Sequence, residues 1–263
     1  MQYKFEPAKS PSEVVEFKRR FALLAVDHPR IILQHSGGRD SIAVYKMLES
    51  FLPYMTVVWT NSGDLFPEIV EYMARVKENT PKFVEVSSDT TSTIGVKGYP
   101  VDVLPVDYTS LGQFCTESKS IKLRNYLECC YENISYPMHK YVKESGATLV
   151  IRGNRKSESH RTPVENGAVI GGVQYIFPIW DWTDDDVVQY LEQVGEELTP
   201  RLRIHHSSLD CKSCTAYTNH SQERMQYIKQ YHPVVFQNLQ GVFKEIKKAQ
   251  EKESEGLDKI LSM

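Results

Sequence analysis

The chain has 263 residues, five cysteines and a formal net charge of −3, with a mass of 30.3 kDa and a pI near 6.3. That length carries a full hydrophobic core in one α/β domain with a helical extension. The acidic balance excludes a broadly basic nucleic-acid surface and leaves room for a local patch such as Arg152, Arg155, Lys156 and Arg161. An odd, tightly spaced set of cysteines is not a secreted disulfide framework. In a reducing compartment it points to metal, cluster or thiol chemistry. The first residues lack a basic-then-apolar leader pattern and no apolar run approaches the ~20 residues of a membrane span, so the expectation is a cytoplasmic protein without membrane contact.

In chain order, Ser10-Pro11-Ser12-Glu13 has capping-box spacing with proline at the first helical position and predicts a helix over 11–26. Short, β-branched runs predict strands at 30–34, 56–59, 82–86 and 148–151, with helical periodicity at 41–51 and 67–79. The stretch 87–113, rich in Thr, Ser, Gly and Pro, reads as a long loop over the sheet's carboxyl rim. Helices are expected again at 117–132 and 137–145, a hairpin turning at Gly171-Gly172, and a helix opening at Thr183-Asp184-Asp185-Asp186. There the acids suit helix capping better than a metal site. From Thr218 onward the pattern is helical, and 244–263, dense in Lys and Glu, reads as a solvated helix or frayed end.

Alternating strands and helices imply a parallel sheet, which carries ligands at the carboxyl ends of its strands. The strand Ile31–Gln34 runs into Ser36-Gly37-Gly38-Arg39-Asp40-Ser41. Glycines that let backbone N–H groups approach an anion, two serine hydroxyls and a helix N-terminus make this turn a phosphate cradle. An acid in such a cradle is costly unless a divalent cation offsets the charge, so Asp40 points to Mg²⁺.

This hexapeptide resembles the pyrophosphate loop of the adenine-nucleotide alpha-hydrolase (PP-loop) family. Three further segments narrow the resemblance to the branch containing phosphoadenylylsulfate and adenylylsulfate reductases, a branch that includes ATP pyrophosphatase subunits of DNA phosphorothioation systems. These are Thr60-Asn61-Ser62-Gly63-Asp64-Leu65-Phe66-Pro67-Glu68, the loop from Gly153 to Arg161, and Pro178-Ile179-Trp180-Asp181-Trp182-Thr183. The resemblance implies a Rossmann-like parallel five-stranded sheet flanked by helices. Its organisation would be an N-terminal helix at 1–29, a nucleotide-binding domain at 30–200, and a Cys-x-x-Cys segment with a C-terminal helical extension at 201–263. It implies that Ser36, Gly37, Gly38, Arg39, Asp40, Ser41, Thr60, Asn61, Gly63 and Gly153 bind ATP with Mg²⁺, and that Ser36, Asp40, Arg155 and Arg161 serve catalysis.

Cys129-Cys130 with Cys211-Lys212-Ser213-Cys214 resembles the four ligands of a [4Fe–4S] cluster in adenylylsulfate-type reductases. Zinc, or free thiols with Cys129 and Cys130 in a helix core, remain open alternatives. Cys115 is a further candidate thiol. The cysteine that follows Cys214 in those reductases has no counterpart in this sequence. The expected activity is therefore ATP cleavage to AMP and pyrophosphate that activates an acceptor for sulfur, as in relatives that thiolate tRNA or place phosphorothioate linkages in DNA. A cysteine desulfurase or other sulfur donor and a nucleic-acid acceptor are the expected partners, and an oligomer is compatible. Reductase chemistry through another thiol, and a non-catalytic nucleotide-binding scaffold, are the alternatives. His35, His160, His205 and His206 receive no catalytic role.

Overall fold

The structure is a computed structural model and describes residues 5–101, 105–117, 119–157, 164–204, 211–216 and 222–263. Its strands are β1 (Ile31–Gln34), β2 (Met55–Asn61), β3 (Phe83–Ser87), β4 (Tyr99–Val101), β5 (Leu123–Asn125), β6 (Leu149–Ile151), β7 (Val169–Ile170) and β8 (Val173–Ile176). Contacts divide the chain into two compact units. One holds 1–61, 66–87 and 137–210, the other 62–65, 88–136 and 211–263.

The first unit is built on a sheet of order β3-β2-β1-β6-β8-β7. Five strands run parallel, and β7 pairs antiparallel with β8 across the Gly171-Gly172 turn. The sheet thus has six strands rather than the expected five, because both arms of the hairpin join it. Strands buried on both faces need apolar residues at consecutive positions, which is why Ile31, Ile32 and Leu33, and likewise Leu149, Val150 and Ile151, are all buried. One face packs Ile32, Val58, Val150, Tyr175 and Phe177 against Met138 and Val142 of the helix Tyr136–Ser145. From β1 the chain moves outward through β2 and β3, then returns to β1's other side at β6. The strand order therefore reverses between β1 and β6, the crevice where open α/β sheets bind ligands.

Three local expectations change. The predicted Ser10 capping box does not form: Ser10 makes no side-chain cap, and Glu13 instead accepts from Lys9 N–H. The expected loop at 87–113 contains helices Thr90–Lys97 and Ser110–Thr116 as well as β4. Its Ser/Thr/Asp content serves as caps, Asp89 accepting from Ser92 N–H and Thr109 from Gly112 N–H. The expected helix 117–132 starts only at Tyr126. Glu117 takes a left-handed conformation with φ of 56° that ends the preceding helix, and β5 pairs parallel with β4.

The second unit centres on Tyr108, Leu123, Ile246 and Ala249. Its last helix, Pro233–Leu261, therefore buries Ile246 and Ala249 within the stretch expected to be solvated, and residues 251–261 are exposed as expected. Among the described residues no helix is long and apolar enough to cross a membrane.

Candidate nucleotide loop and thiol turn

In the first unit, β1 delivers the Ser36–Ser41 loop and the helix Arg39–Met47 begins inside it. Gly37 has a φ of +76°, and a Cβ there would meet Ile69 at 3.2 Å, so both conformation and space require glycine. Ser41 Oγ ties the turn together by donating to Gly38 O at 2.8 Å and accepting from Ser36 N–H at 3.2 Å. Buried His35 accepts the Gly37 N–H on Nδ1 at 3.2 Å, with Tyr72 OH 3.4 Å from its other ring nitrogen. Burial pushes His35 down to about 3, which keeps the ring neutral and Nδ1 free to accept. Arg201 adds a donor to Gly37 O at 2.6 Å. These buttresses carry no local signal, since Arg201 lies 164 residues from its partner.

Gly153 fits because its Cα abuts the loop's helix: a Cβ would lie 2.8 Å from Asp40 C and 2.9 Å from Ser41 N. Two residues later, Arg155, 4% exposed, donates to Asp40 Oδ2 at 2.8 Å and to Asp184 Oδ1 at 3.0 Å. Arg39 pairs with the same Asp184 oxygen. Asp40 Oδ1 is buried and accepts no hydrogen bond, with Arg39 Nε at 4.0 Å. Burial raises the Asp40 carboxyl above its usual range and Arg155 opposes that rise. The helix Asp184–Gln193 carries the predicted cap, with Thr183 and Asp186 forming a capping box. Asp184, read from sequence as part of that cap, also anchors both arginines.

Thr60 and Asn61 end β2. Thr60 Oγ1 is buried without a partner, and Asn61 Nδ2 donates to Glu85 at 2.7 Å. Gly63 belongs to the second unit with a φ of +76°. Arg161, with Glu158 and His160, and His205 and His206, lie outside the described residues.

The second unit carries all five cysteines, and none of them forms a disulfide. Cys129 and Cys214 are buried, Cys130 and Cys211 partly buried, and Cys115 is exposed on its short helix. The Cys211–Cys214 turn is held from two sides. Arg224, fully buried, donates to the carbonyls of Cys214 at 3.0 Å, Cys211 at 2.6 Å and Lys212 at 3.1 Å. Asp64, 2% exposed, accepts from Ser213 N–H at 3.0 Å and Ser213 Oγ at 3.1 Å and pairs with Lys212 Nζ at 3.1 Å. Neither clamp was legible in the sequence. Ser62 Oγ lies 3.6 Å from Cys211 Sγ.

On the other side of the sequence gap, Cys129 precedes a π-helical turn, Tyr131–Ser135, whose Asn133 amide donates to Cys129 O at 3.0 Å. Burial pushes the Cys129 thiol up. Arg124 opposes that shift, and the charge of a Cys214 thiolate would add to it. Four thiols in one unit have the donor chemistry of an iron–sulfur cluster. Among the described residues, however, no three His, Cys, Asp or Glu side chains converge as a metal-holding group.

Residues 30–217 match the family described as phosphoadenosine phosphosulfate reductase domain. Relatives named adenosine 5'-phosphosulfate reductase include those of Mycobacterium tuberculosis, 27% identical over 61% of this chain and 66% of its own. The Salinibacter ruber protein is 25% identical over 68% of this chain and 64% of its own. The chain thus spans just under two thirds of the length of these two relatives. A solved phosphoadenylyl-sulfate reductase from Candida auris, in a phosphate complex, aligns over 72% of this chain and 81% of its own with a TM-score of 0.48 and 18% identity. The span of the family match, which takes in the phosphate loop, the Gly153–Arg155 segment and all the cysteines, assigns this chain to the phosphoadenosine phosphosulfate reductase domain family.

Proposed function

We propose that the chain is an ATP pyrophosphatase of this family, cleaving ATP to AMP and pyrophosphate to activate an acceptor for sulfur incorporation. The observation that carries this reading is Asp40: a carboxylate inside a phosphate loop, one oxygen on Arg155 and the other buried without a hydrogen bond. An anionic side chain at a polyphosphate site needs a cation, and the unsatisfied oxygen suits a hard divalent ion. Asp40 would hold Mg²⁺, which supplies charge neutralisation for a departing pyrophosphate.

The residues of the chain bind and orient. The amides of Gly37 to Ser41 and the hydroxyl of Ser36 would cradle the β,γ-phosphates at the start of the helix Arg39–Met47. Arg155, fixed by Asp184, supplies positive charge beside Asp40 for the α-phosphate, with Arg161 as the second expected donor. An acceptor oxygen attacks the α-phosphorus, its new P–O bond forming as the α–β anhydride bond breaks and the electron pair leaves on pyrophosphate. The outer sulfur of a persulfide on a desulfurase-type donor then displaces AMP from the acceptor, a tRNA or DNA, and a second thiol of the donor frees the sulfurated product by closing a disulfide. Cys129, Cys130, Cys211 and Cys214 are proposed as the ligands of a [4Fe–4S] cluster. Iron and acid-labile sulfide in anaerobically prepared protein support that assignment, and zinc or no metal counts against it.

A second reading, reduction of adenylylsulfate or phosphoadenylylsulfate, is favoured by the names of the relatives. It requires Cys115, Cys211 or Cys214 to attack sulfur, with thioredoxin-type reduction afterwards. Supplying thioredoxin with either sulfonucleotide decides between the two. The pyrophosphatase reading expects no sulfite. Sulfite formed at a working reductase's rate and lost in Cys115→Ser or Cys211→Ser would replace it.

A further inference from the structure

Side chains that face the same way recur every second residue along a strand. Ile32, Val58 and Val150 share the sheet face covered by the helix Tyr136–Ser145. Two residues beyond each, at the carboxyl ends of β1, β2 and β6, stand Gln34, Thr60 and Arg152, and the strand register keeps them on that face. All three present unsatisfied donors. Thr60 Oγ1 and Gln34 Nε2 are buried without a hydrogen bond. Arg152 donates through Nε to Gln34 Oε1 at 2.5 Å, which fixes the Gln34 amide with its NH₂ turned elsewhere. The guanidinium lies over the Tyr175 ring, 5.8 Å from its centroid. No carboxylate among the described residues pairs with Arg152, and its two terminal amino groups make no hydrogen bond to described protein atoms.

A half-buried cation that meets no carboxylate among the described residues is a cost that folding alone does not explain. Burial lowers Arg152 from its ordinary pKa, and its charge, added to burial, lowers that of His139 on the covering helix. The position is also the β1–β6 crevice where the strand order reverses. We propose that Arg152, with Gln34 and Thr60, forms an oxyanion subsite for a phosphate- or sulfate-class group, separate from the backbone cradle of the Ser36 loop. An arginine fork stacked on an aromatic ring and flanked by an amide and a hydroxyl donor matches a tetrahedral oxyanion. The subsite does not depend on which anhydride bond the protein cleaves.

Calorimetric titration with inorganic sulfate and with inorganic phosphate tests it. Wild type binds these anions, Arg152→Met weakens the Arg152-dependent component about ten- to hundredfold, and Thr60→Val weakens it about threefold or more. Ser36→Ala leaves that component in place. The thermal midpoint of Arg152→Met without anion stays level or rises, because the variant removes an uncompensated charge. Titration in saturating AMP separates the sources. Displacement of sulfate by AMP assigns the subsite to the nucleotide's own phosphate, and simultaneous binding assigns it to an oxyanion of a second substrate. Wild type binding neither anion, Arg152→Met binding both as wild type does, or a lowered midpoint with Thr60→Val unchanged in affinity would each overturn the subsite. Absent ATP cleavage with Arg152-dependent sulfate binding intact would remove the pyrophosphatase reading and leave the subsite standing.

Discussion

At the Ser36–Ser41 loop the buried arginine meets carboxylates, Arg155 bridging Asp40 and Asp184, whereas at the Cys211–Cys214 turn buried Arg224 meets three backbone carbonyls. The first arrangement holds charges that a ligand can re-pair, because a guanidinium bound to an acid can exchange that acid for a phosphate. The second fixes the path of the chain, because backbone carbonyls have no second state to offer. Under the proposed function the first region exchanges partners, while the second holds the thiol turn in place.

The largest expected effect breaks the thiol turn. Arg224→Ala strips three charge-assisted bonds from buried carbonyls and leaves a cavity, and should cost about 4 kcal/mol, read as a lowered urea midpoint. At the loop, Asp40→Asn keeps the shape and removes the charge. Pyrophosphate release from Mg²⁺–ATP should fall about 10²- to 10³-fold, equivalent to about 3–4 kcal/mol of barrier, with a smaller change in the urea midpoint than Arg224→Ala causes. Equal stability losses from the two variants would erase the contrast between an exchanging and a fixed arginine.

Asp64→Ala sharpens the comparison on the thiol side. It leaves Ser213 N–H and Lys212 without their acceptor, at a cost of about 1–3 kcal/mol. Buried Cys214 should then be alkylated by iodoacetamide several-fold faster, as the turn opens. Unchanged labelling would show that Arg224 alone holds the turn. The last effect is a change of slope with pH and concerns His35. Its folded-state pKa lies near 3 against 6.5 for the free group, so the unfolded chain binds the extra proton. Stability from this group is complete above pH 6.5 and is lost as pH falls toward 3, by at most about 1.4 kcal/mol per pH unit. His35→Gln should flatten the acid side of the stability profile, and an unaltered slope would mean that other groups set it.

What the sequence disclosed and what it hid divide along the same line. The Ser36 loop, the Thr183 cap and the strands of the parallel core were legible because their signals are local: glycine geometry, a hydroxyl three residues from an acid, runs of β-branched residues. The clamps were not. Asp64 reaches Ser213 across 149 residues, and Arg201 reaches Gly37 across 164. Asp184 was legible as a capping-run acid and illegible as the anchor of Arg39 and Arg155, since helix spacing says nothing of what lies opposite a helix start. The stretch 87–113 misled because Ser, Thr and Asp favour caps as much as loops.

If the Ser36 loop serves cleavage between the α and β phosphates, the products of Mg²⁺–ATP turnover reveal it. Separated nucleotides from a reaction containing the protein and its sulfur-acceptor partner should show AMP and pyrophosphate in equal amounts, lost in Asp40→Asn and in Gly153→Ala, whose added methyl has no room beside Asp40. ADP and orthophosphate in their place would put the cleavage at the β–γ bond and rule out adenylyl transfer at this loop.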